Sequence, residues 1–250
     1  MTAAIETIQL RRSFGAFVVT DRVDFRLEAG ARHALIGPNG AGKTTFVNLV
    51  SGALAPSSGS ILFEDAEVTR LGQAARVKLG LVRTFQINQL CRRLSVLENV
   101  TLAIAEREGV AGDVWRPAGH HGAVIDEAYA LLELLGLGQD ALRPIADLAY
   151  GRQRMTEIAV ALGLKPKVLL LDEPAAGVPT GEAGTIIDVI ERLPSAIAVL
   201  LIEHDMELVF RLARRITVLV EGRILIEGSP DEIARDPTVR RVYLGERGRP

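Results

Sequence analysis

Residues 37–44 read Gly37-Pro38-Asn39-Gly40-Ala41-Gly42-Lys43-Thr44, a spacing suited to gripping an anion. The glycines allow backbone turns that other residues resist, so successive N–H groups can point at phosphate oxygens. A helix starting at Lys43 would aim its positive end at the same anion. Lys43 adds a mobile cation for β/γ-phosphates, and the Thr44 hydroxyl is a hard oxygen ligand suited to Mg²⁺. A shuffled chain of this composition would show the pattern only about 0.003 times. A second constellation lies far downstream, where the apolar run Val168-Leu169-Leu170-Leu171 ends in Asp172-Glu173. In open α/β sheets ligands bind outside the carboxyl ends of strands, so Asp172 can face the cation and Glu173 can polarise an attacking water.

These groups must be held by elements that the sequence also marks. Val23, Phe25 and Leu27 alternate with Asp24 and Arg26, the period of a half-buried strand. Ala31 to Ile36 reads as a short apolar strand feeding the glycine loop. Lys43 to Val50 reads as a helix stopped by Gly52, and Ile61 to Phe63 as a further strand. Ser95-Val96-Leu97-Glu98 is a capping-box pattern, predicting a helix to about Glu108. Residues 109–122 carry four glycines and Pro117 and read as a loop. Helices are expected over Val124 to Leu135, before Gly136, and over Arg152 to Leu162, after a turn at Leu148 to Gly151. Val168 to Leu171 and Ile197 to Ile202 are continuous apolar runs, as in parallel strands covered on both faces. Ile216 to Val220 and Arg223 to Ile226 flank Glu221-Gly222 as a hairpin.

Bulk properties narrow the class. A net charge of −2 over 250 residues gives no electrostatic case for nucleic acid as a partner. The single cysteine, Cys91, excludes an internal disulfide or a multi-cysteine zinc site. No secretory signal pattern is visible, and the longest apolar run, Ala196 to Ile202, is a third of what a bilayer needs. The expected location is the cytoplasm or the cytoplasmic face of a membrane.

Other segments complete a recognisable set. Leu148-Ala149-Tyr150-Gly151-Arg152-Gln153-Arg154 resembles the L-S-G-G-Q-Q-R signature of ABC ATPases, and it stands just before the Asp172 strand as in that family. With these segments the chain resembles ABC transporter ATP-binding subunits over about residues 5–246. It is most similar to the LivG-type ATPases of branched-chain and other hydrophobic amino-acid importers. Asp172-Glu173-Pro174-Ala175-Ala176-Gly177, Ile202-Glu203-His204-Asp205-Met206, Glu227-Gly228-Ser229-Pro230 and Tyr243-Leu244-Gly245 carry that likeness.

The resemblance implies an α/β P-loop NTPase fold with a RecA-like core, an N-terminal antiparallel β subdomain and an inserted helical subdomain. One domain is expected over 1–250, with the β subdomain and first part of the core over 1–87. The helical part would span 88–163 and the rest of the core 164–250. ATP would be held by Phe14, Gly37, Pro38, Asn39, Gly40, Ala41, Gly42, Lys43, Thr44 and Thr45, with Phe14 stacked on adenine. Mg²⁺ would sit on Thr44, Gln86 and Asp172. Catalysis would fall to Glu173, His204 and Lys43, with His204 touching the γ-phosphate.

Two cassettes, identical or different, would pair head to tail. The signature residues Ala149, Tyr150, Gly151, Arg152 and Gln153 of one would then cover the ATP of the other. Permeases and, indirectly, a substrate-binding protein complete the expected assembly on the cytoplasmic face of the inner membrane, with this subunit peripheral. Two departures from the general pattern are Ala149 in place of the signature serine, and Val178-Pro179 where many relatives have Leu-Asp. Alternatives are a lipopolysaccharide-type export ATPase, a soluble ABC ATPase, and a non-catalytic regulatory subunit; Glu173 and His204 argue against the last.

Overall fold

The computed structural model describes residues 2–84, 90–111 and 122–244, which form two compact units. The first comprises residues 1–81, 167–173 and 194–250, the second 82–166 and 174–193. Ten strands and nine α-helices occur among the described residues.

In the first unit β1 (Ala3–Phe14), β2 (Phe17–Glu28), β4 (Ser58–Phe63) and β5 (Ala66–Glu67) make an antiparallel sheet of order β2-β1-β4-β5. The larger sheet contains β3 (Arg32–Ile36), β7 (Val168–Asp172), β8 (Ala198–Ile202), β9 (Arg215–Val220) and β10 (Arg223–Gly228). Its order is β10-β9-β3-β8-β7-β6. Strand β6 (Leu81–Arg83) begins at the last residue of the chain's first segment in this unit. β3 runs parallel to β8 and β9, β7 parallel to β8, and β10 returns antiparallel beside β9. All five residues of both β7 and β8 are buried, which is why both read as unbroken apolar runs and not as alternating ones.

Helix α1 (Lys43–Ser51) shares one apolar cluster with both sheets. Phe46, Val47, Leu49 and Val50 share that cluster with Leu10, Phe25 and Ile61 of the antiparallel sheet and with Leu35, Leu170 and Leu200 of the larger one. The helix ends at Gly52 in the left-handed conformation. Arg76, on helix α2 (Gln73–Leu79), locks that end. Its guanidinium is buried and donates to the carbonyls of Leu49 (2.8 Å) and Val50 (2.6 Å), and to those of Leu71 and Thr69. Burial lowers its pKa to about 10, so a cation remains at neutral pH against the negative end of the helix. Neither α2 nor β6 carries a sequence signal strong enough to be read beforehand, being seven and three residues long.

The second unit contains α3 (Val96–Arg107), α4 (Gly122–Leu134), α5 (Tyr150–Gly163) and α6 (Thr180–Glu191). The expected capping box opens α3: the Ser95 hydroxyl accepts from the Glu98 N–H, and the Glu98 carboxylate accepts from that of Ser95. Arg107 joins three helices, donating to both Glu127 oxygens on α4 and to the Gly163 carbonyl ending α5. Arg107 holds the Glu127 carboxyl down at about 2. Gly163 allows close packing there: a Cβ would lie 3.1 Å from the Ile104 side chain, which would have to give slightly. Helix α5 begins at Tyr150, two residues ahead of its expected start, so only Leu148 and Ala149 of the expected turn precede it. Most of the glycine-rich stretch 109–122 lies outside the described residues.

Candidate functional site

Strand β3 and helix α1 deliver the phosphate loop, and three glycines give it its path. Gly37, Gly40 and Gly42 have φ of 158°, 79° and 98°. A Cβ on Gly37 would lie 2.2 Å from the Leu219 carbonyl oxygen, and one on Gly42 would lie 2.6 Å from that of Val19. The loop is therefore pressed between β2 and the β9–β10 turn, and the Gly222 N–H donates to the Ala41 carbonyl at 2.9 Å. Gly40 is exposed with nothing near its Cα substituent position, leaving one side of the loop open. No side chain caps the N terminus of α1, where Gly42 is the N-cap. That is the arrangement in which helix-end N–H groups serve an anion. The Lys43 ammonium donates to the Gly37 and Pro38 carbonyls at 2.6 and 3.1 Å, so it lies along the loop that would cradle phosphates.

The acidic pair stands at the end of β7. Asp172, buried, pairs in register with Ile202 of β8, and the Glu173 N–H donates to the Ile202 carbonyl at 2.9 Å. Glu173 has φ 47°, a left-handed conformation uncommon for a side chain this long. Such strain concentrates where function requires a particular presentation. Its Oε1 lies 3.3 Å from Nδ1 of His204, which is 64% exposed. The strand ends thus bring together two residues singled out separately in the sequence.

Two further residues near this region carry no sequence motif of their own. Glu203 is buried beside His204, and burial raises its carboxyl pKa, with the nearby Glu173 pushing in the same direction. Phe17 faces Phe14 across the β1–β2 turn and is 72% exposed. It lines a cleft of about 680 Å³ together with Val18, Val19, Gly40, Glu221 and Gly222. Phe14 is half exposed, outside the core, and the Arg12 guanidinium lies 4.6 Å from its ring centroid. The pairing of two aromatics across a Gly15-Ala16 turn was the available sequence signal for Phe17.

Within the second unit, Ala149 is the N-cap of α5 and offers no side-chain cap. Gly151 lies close under Glu182: a Cβ there would come 2.1 Å from Oε2 of that carboxylate, which would have to swing aside. Arg152 turns back to Asp140 (2.7 Å) and to the Gly136 carbonyl, and Gln153 donates to the Leu148 carbonyl. Arg154 pairs with Glu157 and lies over the Tyr150 ring, whose other neighbour is Gly177: a Cβ there would be 3.3 Å from the ring. Pro179 is the N-cap of α6, its ring-fixed φ of −56° serving as the extended entry to the helix. Gln86 lies outside the described residues.

Comparison with known proteins agrees with this geometry. A family model described as ABC transporter matches residues 20–176, and one described as branched-chain amino acid ATP-binding cassette transporter matches residues 223–249. The chain belongs to the ABC transporter ATP-binding subunits. It is 37% identical to the high-affinity branched-chain amino acid transport ATP-binding protein LivG of Escherichia coli strain K12, covering 95% of this chain and 96% of that one. It is 36% identical to BraF of Pseudomonas aeruginosa, described in the same terms, covering 97% and 98%. A crystal structure of the ADP conformation of an ABC transporter cassette superposes with a TM-score of 0.85 at 30% identity, covering 98% of this chain and all of that one. The two-sheet, helix-bearing architecture is that of an ABC ATPase cassette, and the cassette binds nucleotide and couples ATP hydrolysis to transport.

Proposed function

We propose that this cassette powers the import of branched-chain or other hydrophobic amino acids. In this reading its hydrolytic centre is formed by the phosphate loop, Asp172, Glu173 and His204. The observation that carries the catalytic part is the 3.3 Å approach of Glu173 Oε1 to His204 Nδ1 at the ends of two adjacent parallel strands. A non-catalytic subunit has no use for a strained glutamate held against an exposed histidine. The cargo rests on the likeness to LivG and BraF.

Backbone N–H groups of residues 39–45 and the Lys43 ammonium hold the triphosphate, Lys43 exchanging loop carbonyls for β/γ-phosphate oxygens. Phe14 stacks on adenine. Among the described residues no cluster of three or more His, Cys, Asp or Glu forms a dedicated metal cage. Mg²⁺ takes few protein ligands and completes its octahedron from phosphates and water, so Thr44 and Asp172 fit it, with Gln86 as the third. Bound there, Mg²⁺ would neutralise charge between the phosphates. Glu173 accepts the proton of the attacking water, and His204 contacts the γ-phosphate.

Ala149, Tyr150, Gly151, Arg152 and Gln153 of one cassette close over the nucleotide of a second, head to tail. Arg152 and Gln153 serve mainly by shaping the signature, since their side chains are engaged inside their own unit. Residues 1–250 act as one cassette docked to membrane permeases, which receive substrate from a binding protein. No helix among the described residues is long and apolar enough to cross a membrane; peripheral attachment at the cytoplasmic face rests on the likeness to LivG.

Glu173→Gln tests this reading. Glutamine keeps the shape but accepts no proton, so hydrolysis should fall by roughly 10²–10⁴-fold while MgATP still binds. An ATP-stabilised dimer, with the natural partner cassette where one exists, should accumulate on size-exclusion chromatography. Turnover at the wild-type rate would mean Glu173 is not the base.

A further inference from the structure

The segment Glu203-His204-Asp205 links β8 to helix α7 (Met206–Leu212), and each residue is fixed differently. Asp205 is the N-cap of α7, its Oδ1 accepting from the N–H groups of Glu207 (2.9 Å) and Leu208 (3.4 Å). His204 stands between them, mostly exposed, with Nδ1 toward Glu173. Glu203 is 3% exposed and continues a strand whose five preceding residues are all buried and apolar. An apolar residue would be the inexpensive choice there, because a buried carboxylate must be compensated by hydrogen bonds or charge.

The compensation Glu203 finds is almost entirely local. Its Oε2 accepts from the His204 N–H at 3.2 Å and lies 3.9 Å from His204 Nδ1, and the backbone of Asp205 also favours its charged form. Its Oε1 is buried with no hydrogen-bond partner among the described residues. The side chain therefore leaves one oxygen unsatisfied while its other bonds all go to the turn that carries the histidine. A residue selected for stability alone would not be expected to take this form.

We propose that Glu203 is a positioning residue for ATP hydrolysis: its buried carboxylate clamps the 203–205 turn so that His204 is presented to Glu173 and to the nucleotide's terminal phosphate. The inference rests on the catalytic reading of Glu173 and His204 and goes beyond it, since it gives a role to a buried residue which that reading leaves unused. What the clamp supplies is hydrogen-bond acceptance toward the backbone, which an amide oxygen can reproduce and a hydrocarbon cannot.

The test compares Glu203→Leu, Glu203→Gln and His204→Ala in the full-length chain, by steady-state MgATP hydrolysis and thermal melting at neutral pH. Glu203→Leu should lower kcat by about tenfold or more, the scale expected when a catalytic group is misplaced. It should keep the KM for ATP within about threefold and melt no earlier than wild type, because an uncompensated buried oxygen has gone. Glu203→Gln should recover kcat to within about threefold of wild type, since its amide oxygen can accept the same bonds. If Glu203→Leu keeps wild-type kcat while His204→Ala loses it, the inference is wrong and the catalytic reading stands. If His204→Ala is fully active, the catalytic reading itself fails and takes the inference with it. A Glu203→Leu protein that melts early and loses affinity along with kcat would show a purely structural role, overturning the proposal. So would a Glu203→Gln protein as slow as the leucine variant.

Discussion

His33 makes a pH-dependent contribution to stability whose size follows from its surroundings. It is 2% exposed on β3, packed edge-on against Phe25 with ring centroids 5.0 Å apart. Its Nε2 lies 2.8 Å from the Thr217 hydroxyl, which donates its own proton to Glu227 Oε2 at 2.7 Å. The hydroxyl must then accept from His33, which assigns the Nε2–H tautomer. A second proton would create a cation in the core, and burial lowers the pKa to about 4 from 6.5. The unfolded chain therefore takes up this proton first as pH falls. The contribution is complete above pH 6.5 and is lost as pH drops toward 4. By linkage the loss is about 2 kcal/mol at pH 5 and about 3 kcal/mol at pH 4. For a chain of this size the pH 5 value corresponds to roughly 4–8 °C in Tm.

Urea unfolding of wild type and His33→Leu at pH 7.5 and 5.0 isolates this residue from other titrating groups. At pH 7.5 the variant should be less stable by about 1 kcal/mol, one lost hydrogen bond. Its decline on acidification should be smaller than that of wild type by about 2 kcal/mol, so that the two converge or cross by pH 5. Parallel declines would refute the assignment of His33 as a buried neutral imidazole.

Three further outcomes are expected at the nucleotide site. Lys43→Ala should weaken MgATP binding in calorimetry and abolish hydrolysis, and unchanged affinity would remove the phosphate loop from the mechanism. Phe14→Ala should weaken ATP by about 1 kcal/mol, a typical stacking contribution, with turnover at saturation little changed and inorganic tripolyphosphate binding as before. An earlier melt with normal ATP affinity would instead make Phe14 a packing residue. Gly151→Ala drives a methyl against the Glu182 carboxylate, so hydrolysis in the assembled transporter should fall while ATP binding to the isolated chain persists. Hydrolysis at the wild-type rate would show that α5 can shift to accept the methyl.

What the sequence made legible was whatever depends on neighbours in the chain. The glycine loop needs its glycines at fixed offsets, Ser95 and Glu98 cap a helix three residues apart, and β7 and β8 are apolar throughout because both faces are covered. Arg76 was not legible, because its partners are carbonyls of a helix about 27 residues away, and carbonyls leave no trace in residue type. Glu203 was hidden for a related reason: within Ile202-Glu203-His204-Asp205 it reads as an ordinary polar residue, and only the structure shows that it is buried. Helix α5 starts at Tyr150, inside the turn expected over Leu148 to Gly151, because glycine is a turn signal only away from a helix's first turn. In the first turn, where N–H groups have no intrahelical acceptor, glycine costs less, and here it leaves room for the Glu182 carboxylate.

The topology of the first unit also sets a timetable for synthesis. Strand β3, which launches the phosphate loop, lies between β8 and β9, and the hydrogen bonds of Arg32 to Ile197 and His33 to Thr217 span 165 and 184 residues. At ribosomal rates of roughly 5–20 residues per second, β3 waits on the order of 10–40 seconds for its neighbours to emerge. Until then its apolar edges are open to chaperones and to one another, and the loop it carries has no β9–β10 turn to press against. A nascent chain should therefore gain affinity for ATP abruptly, after Gly222 has cleared the exit tunnel, so arrested chains that expose the chain only to before or to beyond that residue would differ in nucleotide capture as sharply as absent and present.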